Sequence, residues 1–131
     1  MVIAVDGPSG SGKSSISKES AKRLGFNFLD TGAMYRSITW FCVTKNLTEE
    51  DLIIERINNK DFNLDISTDP LKDQVKVNDQ DITNIIRDEA ITSQVSHYAA
   101  MPKIRQFLVS KQRELVTASK TGIIVEGRDI G

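Results

Sequence analysis

The segment Gly7-Pro8-Ser9-Gly10-Ser11-Gly12-Lys13-Ser14 constrains this chain more than any other, because it dictates the order of three elements in space. Before it, Val2-Ile3-Ala4-Val5 is a continuous apolar run closed by Asp6, the pattern of a strand buried on both faces of a parallel sheet. After it, Ile16, Glu19, Ser20, Arg23 and Leu24 recur at three- and four-residue spacing, and Gly25 stands where a helix would stop. A strand, a G-x-x-x-x-G-K-[ST] loop and a helix in that order form a cradle for the phosphates of a nucleoside triphosphate. The glycines let successive N–H groups face one point, and the helix N-terminus adds a fixed partial positive charge there. Gly7 to Ser15 would line this site, with Lys13 reaching the β/γ phosphates and the Ser14 hydroxyl binding Mg²⁺. A glycine-rich turn matching the pattern by chance is the competing reading, and the flanking elements weigh against it.

At 131 residues the chain is one domain or part of one, able to bury about two-thirds of its unfolded surface. Apolar residues at 39% and charged residues at 27% place it among ordinary soluble proteins. A net charge of −1 gives no reason to expect nucleic acid as a partner, so any phosphate recognition must come from local arginines. Cys42 has no second cysteine to pair with, which fits a reducing, cytoplasmic setting. No apolar stretch approaches the roughly 18 residues of a membrane span, and Met1 leads directly into the first strand. Neither a signal peptide nor membrane association is expected.

Further along, Phe26-Asn27-Phe28-Leu29 reads as a second strand ending at Asp30, and Thr31 or Gly32 can open an apolar-rich helix to about Lys45. Thr48 is positioned to cap a helix through Glu49-Glu50-Asp51, ending near Asn58-Asn59. The period then becomes alternating: Phe62, Leu64 and Ile66, then Val75 and Val77, predict antiparallel strands with one wet face, and Asn78-Asp79-Gln80-Asp81 follow as turn formers. Two helices are expected next, one over about 88–99 and one from Pro102 to about Ala118 with Ile104, Phe107, Leu108 and Leu115 facing the core. Ile123-Ile124-Val125-Glu126 predicts a third buried-type strand whose terminal carboxylate would support Mg²⁺, as a Walker B element does. The fold class is thus α/β, a parallel-sheet core interrupted by an antiparallel β insertion. Three parallel strands leave an unprotected edge, so the sequence is expected to be the first part of a longer protein.

Three segments lie where such a fold binds ligands, or lead toward it: Asp30-Thr31-Gly32-Ala33-Met34-Tyr35-Arg36, Ser96 to Arg105, and Glu126-Gly127-Arg128-Asp129-Ile130-Gly131. Together with Gly7 to Ser15, they resemble bacterial cytidylate kinase along the whole chain. The resemblance implies a P-loop nucleoside monophosphate kinase that transfers a phosphoryl group from ATP, with Mg²⁺, to CMP or dCMP. It implies a P-loop core over residues 1–36 and 113–131 and an acceptor-binding insertion over 37–112. The family's lid and C-terminal core would follow beyond residue 131, and a piece of 131 residues alone is expected to be inactive. A monomer is expected.

By the resemblance, Lys13, Arg36 and Arg128 would be catalytic, Arg36 and Arg128 holding the acceptor phosphate through planar bidentate pairing. Thr31 and Tyr35 would line that pocket. Ser96, Arg105 and Asp129 match the family's cytosine-reading positions, and a carboxylate suits the N4 amine of cytosine while repelling the O4 of uracil. Ser14 and Glu126 would serve the metal. Glu126 stands where the family has aspartate, and Ser14-Ser15 where many nucleoside monophosphate kinases have Gly-Thr. Each residue also has a plainer reading: Arg36 and Arg105 as solvated helical charges, Asp129 as a helix cap, Tyr35, Trp40 and Cys42 as packing, and His97 as structural. A P-loop kinase of another small metabolite and a non-catalytic nucleotide-binding fragment remain alternatives. A signalling GTPase is disfavoured, since Asn59-Lys60-Asp61 lacks the base-reading spacing.

Overall fold

The computed structural model describes residues 1–6 and 13–127. Their contacts divide them into two units, one comprising residues 1–32, 67–73 and 111–131, the other residues 33–66 and 74–110.

The first unit is built on a parallel sheet of β1 (Val2–Asp6), β2 (Asn27–Asp30) and β6 (Ile123–Gly127), in the order β1-β6-β2. The last strand in sequence therefore sits in the middle and pairs with both others. Ile3, Ile124 and Phe28 share one register row, and with Val5, Phe26 and Ala21 of α1 (Lys13–Leu24) they form an apolar cluster. Side chains alternate between sheet faces, so this row faces α1 while Val2, Ile123 and Asn27 face the other way. On that second face Ile123, Val125 and Leu29 are buried, but Val2 is 55% exposed and Ala4 is also exposed. The strand expected to be covered on both faces is thus open on one. Beyond β2, the Phe28 N–H donates to the Thr68 carbonyl at 2.8 Å, so this edge of the sheet is partly paired by the 67–73 segment.

The sequence places the apolar stripe of α1 one position out. Ile16 and Leu24 are exposed, and the buried face carries Ser17 and Ala21 instead. Small side chains let the helix lie close to the strands, whereas Ile16 and Leu24 project from its outer side.

The second unit contains most of α2 (Thr31–Thr44), then α3 (Glu50–Asn58), a sheet of β3 (Leu64–Ile66), β4 (Val75–Val77) and β5 (Gln80–Asp81), the short α4 (Glu89–Thr92) and α5 (Val95–Ala99), and the first half of α6 (Pro102–Ala118). Edge-to-face aromatic pairs run from Phe41 to Phe62 at 5.2 Å and on to Phe107 at 6.0 Å, tying α2, the entry to β3 and α6 together. Ile53, Val77, Ile82, Ile86, Ile104 and Leu108 are fully buried.

Three sequence expectations change here. Residues 80 and 81 add a third strand, because Asn78 and Asp79 both adopt positive φ and close a two-residue hairpin. The helix expected over 88–99 is instead a 3₁₀ turn at Ile85–Arg87 followed by α4 and α5, separated at Ser93-Gln94. Thr48 does not cap α3: the cap position is Glu49, with no side-chain hydrogen bond.

Three helices end alike. After α1, the Phe26 N–H reaches the Ala21 carbonyl; after α2, Leu47 reaches Cys42; after α3, Asp61 reaches Arg56. The residue before each donor is left-handed: Gly25, Asn46 and Lys60, with φ of 68°, 57° and 66°. Glycine and asparagine adopt this conformation readily, but lysine carries a Cβ penalty of roughly 1 kcal/mol. Lys60→Gly is accordingly expected to stabilise the protein by roughly 0.5–1 kcal/mol in urea denaturation with an unchanged m-value.

Cys42 is fully buried on α2, and burial pushes its thiol up to about 12. The folded state keeps the thiol proton in a range where the unfolded chain releases it, so this contribution to stability is lost as pH rises from about 9 toward 12. Cys42→Ala should flatten that part of the stability–pH curve, measured by denaturation at pH 8 and pH 10.

Candidate active site

Parallel register brings the ends of the three strands of the first unit to one edge. Asp6 pairs with Gly127, and Asp30 pairs with Glu126, so the three strands finish within one residue of one another. β1 ends there at Asp6, and the described chain resumes as α1, whose first turn contains Lys13, Ser14 and Ser15. Gly7, Pro8, Ser9, Gly10, Ser11 and Gly12 lie outside the described residues, as do Arg128 and Asp129.

At that edge β2 and β6 are locked together by a side chain. Thr31, buried at 3% exposure, donates its hydroxyl to the Glu126 carbonyl at 2.9 Å. Gly127 makes this approach possible, because a Cβ built there would overlap Thr31 Oγ1. Thr31, expected to line an acceptor pocket, thus has its hydroxyl proton committed to the backbone; its lone pairs face no such restriction. Asp30 and Glu126 are register partners, so their carboxylates project from the same face of the sheet, and Glu126 Oε2 is buried. Oxygen donors of this kind suit a hard cation such as Mg²⁺.

The other site residues stand in the second unit. Tyr35 and Arg36 are half-buried on α2, with Arg36 Nε fully buried and the Tyr35 carbonyl accepting from Thr39 Oγ1 at 2.8 Å. A surface arginine with only solvent around it would leave that atom wet, so the plainer reading of Arg36 as a solvated charge does not describe it. Ser96 and Arg105 are both exposed, one on α5 and the other in the opening turns of α6. His97 packs edge-on against Tyr98 at 4.9 Å and has no His, Cys, Asp or Glu cluster around it among the described residues.

The cytidylate kinase family model matches residues 3–131. The chain belongs to the cytidylate kinase family. It is 46% identical over 131 residues to a cytidylate kinase of Streptococcus thermophilus (strain CNRZ 1066), covering 98% of this chain and 57% of that protein. Identity to a cytidylate kinase of Streptomyces avermitilis is 42% over 132 residues, covering 100% of this chain and 57% of the relative. A bifunctional pantoate ligase/cytidylate kinase of Prochlorococcus marinus is 44% identical over 131 residues, 99% of this chain and 25% of that protein. The chain spans a little over half the length of the two single-function relatives.

All four cytidylate kinase motifs noted in the sequence fall in the matched span. What sequence reasoning missed is their support. Tyr98 is buried, and its hydroxyl donates to the Leu47 carbonyl at 2.8 Å; burial, and secondarily Cys42, raise its pKa. The Lys103 backbone N–H donates to Glu50 Oε2 at 2.8 Å, and Lys103 Nζ pairs with Asp51 Oδ1 at 2.9 Å. The hydrogen bond to Asp51, then its charge, raises the Lys103 pKa. These partners are 51 to 53 residues apart, and no local pattern announces them.

Thr31→Val should leave the Glu126 carbonyl without its hydroxyl donor and cost about 1–3 kcal/mol of stability in urea denaturation, whereas Thr31→Ser should cost less than half as much.

Proposed function

We propose that the protein carries out phosphoryl transfer from ATP to CMP or dCMP, yielding ADP and CDP or dCDP. The observation that carries this reading is the parallel register of β1, β6 and β2, whose ends fall within one residue of one another, so that Asp6 and Asp30 flank the Glu126-Gly127 end of β6 at one sheet edge. Membership of the cytidylate kinase family and the names of the relatives support the choice of acceptor.

In this reading an acceptor phosphate oxygen attacks the γ-phosphorus of ATP while the bond to the β–γ bridging oxygen breaks. The attacking acceptor phosphate oxygen is already ionised near neutral pH, so no serine, cysteine or histidine nucleophile is required. Catalysis then consists of positioning and charge neutralisation. Gly7 to Ser15 hold the donor phosphates, Lys13 draws off charge on the donor side, and Arg36 and Arg128 do so on the acceptor side. Mg²⁺, when bound through Ser14 and Glu126, supplies charge neutralisation on the β/γ phosphates. Buried Glu126 Oε2 beside Asp30 supports that assignment through its donor chemistry. Arg36 supports the acceptor role by being held half-buried instead of free in solvent.

Ser96 and Arg105 donate toward the cytosine O2 and N3, and Asp129 accepts from N4. The unit built on the parallel sheet serves as the donor core, and the unit around α3 and α6 serves as the acceptor-binding insertion. No helix among the described residues is long and apolar enough to cross a membrane. The proposed enzyme is cytoplasmic and monomeric, with nucleotides and not nucleic acid as its partners.

The deciding experiment is a coupled ADP-release assay on the full gene product with CMP, dCMP, UMP, AMP and shikimate in parallel. CMP or dCMP should give the highest kcat/KM; preference for another acceptor would favour a different small-metabolite kinase. Arg128→Ala should lower kcat/KM by about a hundredfold or more. Asp129→Ala should narrow the CMP-over-UMP preference by roughly tenfold, and unchanged preference would remove it from base reading.

A further inference from the structure

The segment that carries Ser96 and Arg105 is anchored in the core by Tyr98 and Ile104 and held from outside by another stretch of the chain. Ser96 lies on a five-residue helix, Arg105 in the opening turns of α6, and only Ala100 and Met101 connect the two helices. Both side chains are exposed, so neither is oriented by being packed in a core. Three contacts from one short stretch, residues 47–51, reach this segment instead. Leu47 accepts the Tyr98 hydroxyl, Glu50 accepts the Lys103 backbone N–H, and Asp51 pairs with the Lys103 ammonium.

The Glu50 contact is the one aimed at the helix opening. The first N–H groups of a helix have no partner within it, and α6 opens with Pro102, which brings no N–H of its own. Glu50 supplies an ionised acceptor to the next N–H, at the positive end of the helix dipole, where a carboxylate is favoured. Glu50 is itself in the first turn of α3, so its carboxylate joins the openings of two helices that are distant in sequence. Arg105 lies two residues beyond the N–H that Glu50 holds, and the Arg105 N–H bonds to the Met101 carbonyl within the same turn.

We propose that Glu50, assisted by Asp51, is a positioning residue for base recognition, fixing the first turn of α6 so that Arg105 is presented to the pyrimidine. This rests on the reading of Arg105 as a cytosine contact. Glu50 touches neither nucleotide; it acts through the turn on which Arg105 stands. Because ATP is held elsewhere in the chain, loss of Glu50 affects the acceptor side alone.

The test is a double-mutant cycle of Glu50→Ala and Arg105→Ala in the full gene product, reading KM for CMP, KM for ATP, kcat and the CMP-over-UMP preference. Glu50→Ala is expected to raise KM for CMP about five- to twentyfold and to narrow the preference, with KM for ATP and kcat within about twofold. Glu50→Gln keeps an oxygen acceptor without the charge, and should fall between wild type and Glu50→Ala. In the Arg105→Ala background, adding Glu50→Ala should have little further effect. If Glu50→Ala is poorly soluble, the same cycle is read with Glu50→Gln. Full additivity of the two changes, or an unaltered KM for CMP in the Glu50 variants while Arg105→Ala raises it, overturns the positioning role. Normal CMP kinetics in Arg105→Ala alone overturn the base-contact reading beneath it, a result distinct from the first.

Discussion

Pairing of β6 with both β1 and β2 is the constraint on which the candidate donor site depends. Among the described strands of this sheet β1 and β2 do not pair with each other; each pairs with β6 and ends within one residue of its carboxyl end. Without the middle strand, the end of β1 at Asp6 and the Asp30-Thr31 step after β2 have no common edge. The Thr31 hydroxyl on the Glu126 carbonyl then ties β2 to β6 at the last residue pair before the chain departs. That contact needs a residue without a side chain at position 127, so the glycine is there to admit a neighbour and not to turn the backbone.

Much of this was legible in the sequence, for identifiable reasons. The P-loop pattern is a local signal, since its glycines, lysine and flanking strand and helix all lie within about one βα unit, and β1 and α1 appear where it places them, while the apolar runs at 26–29 and 123–126 mark β2 and β6. Pro102 announced the start of α6 because an imino nitrogen is tolerated in the first turn. Errors arose where tertiary packing chose among locally similar options. Ile16 and Leu24 looked like the inner face of α1, but the closest approach to the strands favours Ser17 and Ala21. Thr48 looked like a cap, yet Glu49 takes that position. Residues 88–99 satisfy helical spacing in bulk, while Asp88, accepting from the Ala90 N–H, restarts the chain after a 3₁₀ turn. Asn78-Asp79 was recognised as a turn, but its two positive φ values make it a tight hairpin, and this creates β5.

The candidate site was legible as a set of residue types and not as a structure. Arg36 could be named from its motif, but nothing in the motif says that its Nε is buried. Tyr98 and Lys103 sit within the Ser96 to Arg105 stretch that drew attention, yet they are turned toward Leu47, Glu50 and Asp51. A motif therefore mixes groups facing a ligand with groups facing the scaffold, and sequence alone does not sort them. Acids at the start of α3 suit the dipole of their own helix, and Glu50 at the same time satisfies that of α6.

The central place of β6 also orders events in time. Its partner Val2 is 121 positions upstream of Ile123, so the parallel sheet closes only after nearly the whole of this chain has been made. The unit of residues 33–66 and 74–110 draws on nothing later than Ser110 and is complete in sequence before β6 exists. Synthesis runs from the N-terminus at about 5–20 residues per second, and contacts of long sequence separation form slowly. The inserted unit can thus gain its Phe41, Phe62 and Phe107 core while β1 and β2 still wait, two strand edges open to other chains until the last one arrives between them.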